Sequence, residues 1–176
     1  MLSRLRAALF AVAALGLLSA CASGAKPEAM VVQAADQGAS TNPALLGVMT
    51  VGTVTGGSET NPMWTSQVDD ASFRQALEDS LRNRGYLAPT PAQARYTVDA
   101  RMVSLDQPFF GLEFTVTSSV DYAVGGANGG KRSIPVTANG TASFSDAPLA
   151  VERLRLANEK SIQENIRAFL AQLARF

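Results

Sequence analysis

The sequence predicts an α+β fold: a four-stranded, mostly antiparallel sheet with two helices packed on one face, in the order β-α-β-β-β-α. Three observations carry this. Three stretches in the middle of the chain alternate apolar and polar residues with period two. Each must bury one face and wet the other. Two stretches, one before and one after them, place apolar residues at helical spacing. An apolar run rich in valine precedes the first helical stretch and supplies the fourth strand.

The first strand falls between Leu45 and Val54. Leu45, Leu46, Val48, Met49 and Val51 occupy both parities, which suits a strand buried on both sides or in a central position. Gly56-Gly57-Ser58 ends it, and a loop holding Asn61-Pro62 and Trp64 follows. A helix starts near Asp69, an N-cap residue, with Val68 and Phe73 spaced as a hydrophobic staple. Phe73, Ala76, Leu77, Ser80 and Leu81 form its inner face, and Gly85 is placed to stop it.

The second strand sets Tyr96, Val98, Ala100 and Met102 against Thr97, Asp99 and Arg101. The third sets Leu112, Phe114, Val116, Val120, Tyr122 and Val124 against Glu113, Thr115, Thr117, Ser119 and Asp121. The fourth carries Ile134, Val136, Ala138, Ala142 and Phe144 on its apolar parity. Gly125 to Gly130 joins the last two as a hairpin, and Asn139-Gly140 reads as a bulge or a second turn. A long helix runs from about Val151 to Ala174 on a stripe of Leu154, Ile162, Ile166, Phe169, Leu170 and Leu173. Arg155/Glu159 and Lys160/Glu164 are expected as oppositely charged i, i+4 pairs on its flanks, and Asn158 as a satisfied polar group at the stripe's margin.

Ahead of this domain stands a different kind of sequence. Arg4 and Arg6 precede an uncharged run from Ala7 to Leu18, a basic start and an apolar core of signal-peptide length. Leu18-Ser19-Ala20-Cys21 closes it, and Cys21 is the only cysteine. These four residues resemble the lipobox of bacterial lipoproteins. The resemblance implies cleavage between Ala20 and Cys21, diacylglycerol on the thiol and acylation of the freed amine. Ala22 follows, not Asp, which by the same resemblance implies the outer membrane, with the domain facing the periplasm. The chain thus divides into residues 1–20 as a lipoprotein signal peptide, 21–43 as a lipidated N-terminus and flexible tether, and 44–176 as one domain. Residues 22 to about 43 are rich in Ala, Gly, Ser, Thr and Pro, and such a coil reaches roughly 25 Å. Met30-Val31-Val32, its one apolar cluster, is alternatively a short edge strand or a docking segment.

The composition narrows the chemistry. Without residues 1–20 the 15 basic residues lose Arg4 and Arg6, leaving 13 against 15 acidic ones. That balance, with no Lys/Arg run, argues against nucleic acid as a partner. There is no histidine, the usual general base and commonest metal ligand, and the one thiol is the lipid anchor. No cofactor, metal or catalytic residue is therefore assigned, and the chain is expected not to be an enzyme. Asp69-Asp70 is explained by a helix start. Gly125-x-x-x-x-Gly130-Lys131 matches the front of a phosphate-binding loop, yet Arg132 stands where a metal-binding hydroxyl belongs and a strand follows where a helix should.

Pro108-Phe109-Phe110-Gly111-Leu112 remains. Two adjacent aromatics between strands cannot both face one side. They are either a core rim or an apolar knob for a partner or a lipid surface, and Phe109 and Phe110 are the candidate interaction residues.

The lipobox, the helix Phe73-Arg74-Gln75-Ala76-Leu77-Glu78-Asp79-Ser80-Leu81 closed by Gly85-Tyr86, and the strand opening Ala94-Arg95-Tyr96-Thr97-Val98-Asp99-Ala100 together resemble small envelope lipoproteins. Two groups are similar: the auxiliary lipoproteins of ABC-type lipid transport systems, and the lipopolysaccharide-assembly lipoprotein. The resemblance implies two helices over one small sheet and an accessory or assembly role in an envelope complex, with an envelope protein as partner. A small module binding lipid, glycan or peptidoglycan is the alternative, and a cell-wall hydrolase has no acid/base constellation behind it.

Overall fold

The computed structural model describes residues 22–37, 41–63, 65–126 and 129–176. The expected signal peptide, the expected cleavage site and Cys21 lie outside them, as do Trp64 and residues 127–128.

A single helical turn, α1 (Pro27–Met30), comes first, and then β1 (Met49–Thr55), α2 (Asp70–Asn83), β2 (Tyr96–Asp106), β3 (Glu113–Gly126), β4 (Lys131–Ser143) and α3 (Ala150–Leu173). The four strands form one sheet in the order β1-β2-β3-β4. The α2 crossover makes β1 and β2 parallel, and the other two pairs are antiparallel hairpins. The sheet is thus mixed, and the α+β architecture holds.

Local chemistry sets most boundaries as the sequence implies. Asp69 caps α2, its carboxylate accepting the Ser72 N–H at 2.8 Å, and Val68 and Phe73 are both fully buried. Gly85 takes φ 76° just past the helix end, a conformation glycine adopts without a Cβ penalty. Val98, Ala100, Val116, Val120, Tyr122, Val124, Ile134 and Val136 point beneath α2 and α3. Tyr122 stacks on Phe169 at 4.0 Å and meets Phe73 edge-on. Burial pushes the Tyr122 phenol up, and its O–H donates to Asn165.

Several details differ from expectation. β1 is an edge strand with one covered face. Its mixed parity arises from a register shift between Val51 and Val54, and Leu45 and Leu46 precede the strand. Leu112 and Phe144 lie just beyond the ends of β3 and β4 and are exposed. Asn139-Gly140 makes neither bulge nor turn, because β4 pairs without interruption from Lys131 to Ser143. Gly140 faces α3, where an added Cβ would come within 2.5 Å of the Ala157 carbonyl oxygen. The Arg155/Glu159 pair is buried, and Glu152 joins it. Lys160 and Glu164 pair elsewhere, with Asp146 and Arg167 respectively. Asn158 is fully buried and bonded to Ser66 and Gln107.

The largest departure concerns the expected tether. Ala22, Ala25, Met30, Val31 and Val32 are buried, and the segment lies across both helices. The Lys26 N–H donates to Glu159 and the Val32 N–H to the Ser80 hydroxyl, while Gln163 donates to the Val31 carbonyl and Asn83 to that of Val32. Residues 22–32 therefore belong to the domain, as a strap over the helical layer.

Candidate functional site

The strand directions sort the loops into two ends. β1 and β2 finish, β3 starts and β4 finishes at one end, which thus gathers the described residues 56–63, 65–69, 107–112 and 144–149. Phe109 is 98% exposed, Phe110 89%, Leu112 75% and, in the first of these loops, Met63 81%. Phe144 and Leu149 are about half exposed beside them. The sequence-derived candidates Phe109 and Phe110 thus stand free of the core in the isolated domain.

A buried residue that the sequence reading left unassigned builds this end. Arg153, in the first turn of α3, donates to the carbonyls of Ala147 (2.9 Å) and Pro148 (2.8 Å) from one guanidinium nitrogen and to that of Gly111 (3.2 Å) from the other. Its guanidinium lies over the rings of Phe114 and Phe144 at 5.2 and 5.5 Å. One side chain thereby ties the β2–β3 loop to the β4–α3 loop. Asp146 secures the latter further. The Ser143 N–H and hydroxyl and the Lys160 ammonium hold its carboxyl well below the usual carboxylate range.

The N-terminal strap begins at the same end. The Ala22 N–H donates to the carbonyl of Pro62 at 2.8 Å, and that of Ala25 to Gln67 at 3.0 Å. Gln107, two residues before Phe109, donates to the carbonyl of Ser66 at 2.9 Å and to Asn158 at 2.8 Å. The first described residue after Cys21, the Met63 loop and the aromatic loop are therefore linked through a short run of hydrogen bonds.

The sheet face away from the helices is a polar ladder. Thr115 meets Thr141, Thr117 meets Asn139, Ser119 meets Thr137 and Ser133 meets Asp121, all by side-chain hydrogen bonds. Lys131 bridges Asp99 at 2.9 Å, and this bond together with the Thr53 N–H holds the Asp99 carboxyl below its ordinary value. At the far end, next to the glycine hairpin, a groove of about 410 Å³ is lined by Arg95, Tyr96, Lys131, Arg132 and Phe176. Arg132 lies over the Phe176 ring at 5.0 Å. Its cations and ring faces suit an anionic group carried on an apolar or sugar body. Asp69 and Asp70 do not converge on anything. The first caps α2 and the second accepts the Gly57 N–H at 2.6 Å. Among the described residues no cluster of three acidic, histidine or cysteine side chains is placed to hold a metal ion.

No family model matches the chain, and no curated protein matches it. Solved structures do. A Xanthomonas campestris protein described under the family DUF330 superposes with a TM-score of 0.50 at 9% identity, over 78% of this chain and 91% of its own. A hypothetical protein, CT253 from Chlamydia trachomatis, gives 0.46 at 15% identity, over 74% and 94%. A protein of Caulobacter crescentus CB15, provisionally described as a lipoprotein, gives 0.45 at 20% identity, over 58% and 78%. The likeness to the Xanthomonas protein is one of fold.

Proposed function

We propose that this chain is a lipid-anchored envelope protein, cleaved before Cys21, acylated there and held at the outer membrane with its domain in the periplasm. Its role is non-enzymatic: an accessory or assembly component of an envelope complex that handles lipid or lipopolysaccharide. The observation that carries this reading is the junction between anchor and fold. The lipobox Leu18-Ser19-Ala20-Cys21 leads into a segment anchored by buried Ala22, Ala25, Met30, Val31 and Val32, so the fold accommodates a chain that begins at Cys21. Two or three acyl chains give stable attachment where one gives marginal binding. Among the described residues no helix is long and apolar enough to cross a membrane. The open hydroxyl face and the β4 edge, beyond which no further strand pairs among the described residues, offer surfaces to a protein partner.

Metabolic labelling with a radioactive fatty acid tests the anchor. Label is expected on the wild-type protein and not on Cys21→Ser, and a labelled Cys21→Ser protein contradicts the reading. Extraction in mild detergent tests the role, with a stoichiometric envelope protein expected to co-purify. A second reading, a module binding an anionic lipid or glycan, draws on the Arg95/Arg132 groove. It predicts that the protein purifies without a protein partner and that Arg95→Ala/Arg132→Ala loses the ligand.

A further inference from the structure

We infer that the apolar end of the sheet, formed by Phe109, Phe110 and Leu112 with Met63, is seated in the same bilayer leaflet that holds the acyl chains of Cys21. The inference rests on Cys21 being acylated and adds what covers the exposed aromatic loop. The chain itself leads to this end. Ala22 is buried and hydrogen-bonded to the carbonyl of Pro62, the residue before Met63, so no spacer separates the lipid from the folded body. A coil of twenty residues would have held the domain some 25 Å clear, but residues 22–32 are fixed across α2 and α3.

The patch also has the form of a membrane seat. Phe109 and Phe110 sit at a loop tip and leave almost their whole surface in water. Arg153 clamps the loop that carries them, so they form a preset knob and not a frayed end. A pair of rings on a rigid loop suits insertion about 5–10 Å into the boundary between head groups and acyl chains. Charge does not draw this end to a membrane. The exposed carboxylates here, Glu59, Asp106, Glu113 and Asp146, outnumber the accessible cations, Lys26 and Lys160. The seat is thus apolar, not electrostatic, and expected to be insensitive to salt. A protein partner on the same patch would have to wedge between the domain and the surface to which it is tied.

The orientation that results is definite. β3, with 14 residues and roughly 45 Å long, runs from the membrane end to the hairpin, so the Arg95/Arg132 groove lies at the end of the sheet away from the bilayer. The test uses the mature, acylated full-length protein in zwitterionic phosphatidylcholine vesicles. Leu112→Cys or Gly130→Cys carries an environment-sensitive fluorophore, and a nitroxide on the lipid chains is the quencher. The Leu112 probe is expected to be quenched several-fold more than the Gly130 probe. Adding Phe109→Ser/Phe110→Ser is expected to remove the difference while leaving the melting temperature within a few degrees. Equal quenching at both positions, in protein whose mass shows the acyl chains, overturns the inference. So does protection of the Leu112 probe that arises only when other envelope proteins are present, which assigns the patch to a protein partner. A mass without acyl chains on Cys21 refutes the lipoprotein reading itself, before any probe is read.

Discussion

Arg153 shows how much one buried side chain organises. Its guanidinium satisfies three loop carbonyls and lies over two rings, so Arg153→Met strips donors from all three and costs at least about 2 kcal/mol. Chemical denaturation measures that loss. Arg155 is more sensitive still. It pairs with Glu152 and Glu159, and the Lys26 N–H bonds the latter at 2.9 Å. The hydrogen bonds and charge of Glu152 and Glu159 raise the Arg155 pKa. Arg155→Met leaves Glu159 buried without its cation, a loss of about 3–5 kcal/mol, and also weakens the strap. Acid acts in the same direction. The carboxyls of Asp146 and Asp99 are held below their ordinary values by their Ser143, Lys160, Lys131 and Thr53 donors, and that of Glu152 by Arg155. A depressed folded-state pKa gives stability above the unfolded value of about 4 that is lost as pH falls through the folded one. Melting temperature is therefore expected to hold from neutral pH to about 5 and then to drop, and a rise on acidification would contradict these assignments. Phe109 and Phe110 were legible as an interaction candidate, beside a core-rim reading, because adjacent aromatics between strands cannot both face one side. Arg153 was not, since an arginine in a first helical turn reads as solvent-facing until the distant Gly111 and Phe114 are seen beneath it.

The strands were the most legible elements, because period two records a local fact, which face is covered. Val116 is fully buried among Phe114, Ala142, Leu154 and Ala157, and Thr117 beside it bonds Asn139 on the open face. Val116→Asp is expected to unfold the domain, since a lone buried charge costs several kcal/mol against a total of roughly 5–15. Thr117→Asp is expected to change stability by about 1 kcal/mol or less. Equal falls in melting temperature would refute the one-sided sheet. Gly140 was misread for the opposite reason. A glycine inside a strand reads locally as a bulge or turn, but here the cause is α3, whose backbone at Ala157 and Ser161 closes on β4. Gly140→Ala is expected to cost about 1–3 kcal/mol by forcing the two apart, in contrast to Gly130→Ala at the open hairpin. The irregular parity of β1 had a similar non-local source, the register shift against β2 beside Asp99.

At the scale of the whole molecule the protein is a sheet, a helical layer over one of its faces, and a strap over the helices that leads back to Cys21. The strap was the part of the fold that the sequence hid. Ala, Gly and Ser suit a coil by local propensity, yet small residues also let a backbone lie close to a helix. The groups that fix residues 26–32 come from positions 48 to 133 residues away. The consequence for function is geometric. With the strap in place, an acylated Cys21 brings the Met63 and Phe109-Phe110 loops to the membrane and turns the cationic groove away from it; without the strap, the domain would swing freely. Amide hydrogen exchange of the mature protein decides between the two. The Ala25 amide, bonded to the Gln67 carbonyl, and the Val32 amide, bonded to Ser80, are expected to be protected alongside those of α2 and α3. Exchange of both at the rate of a free peptide, with the helices still protected, would contradict the account.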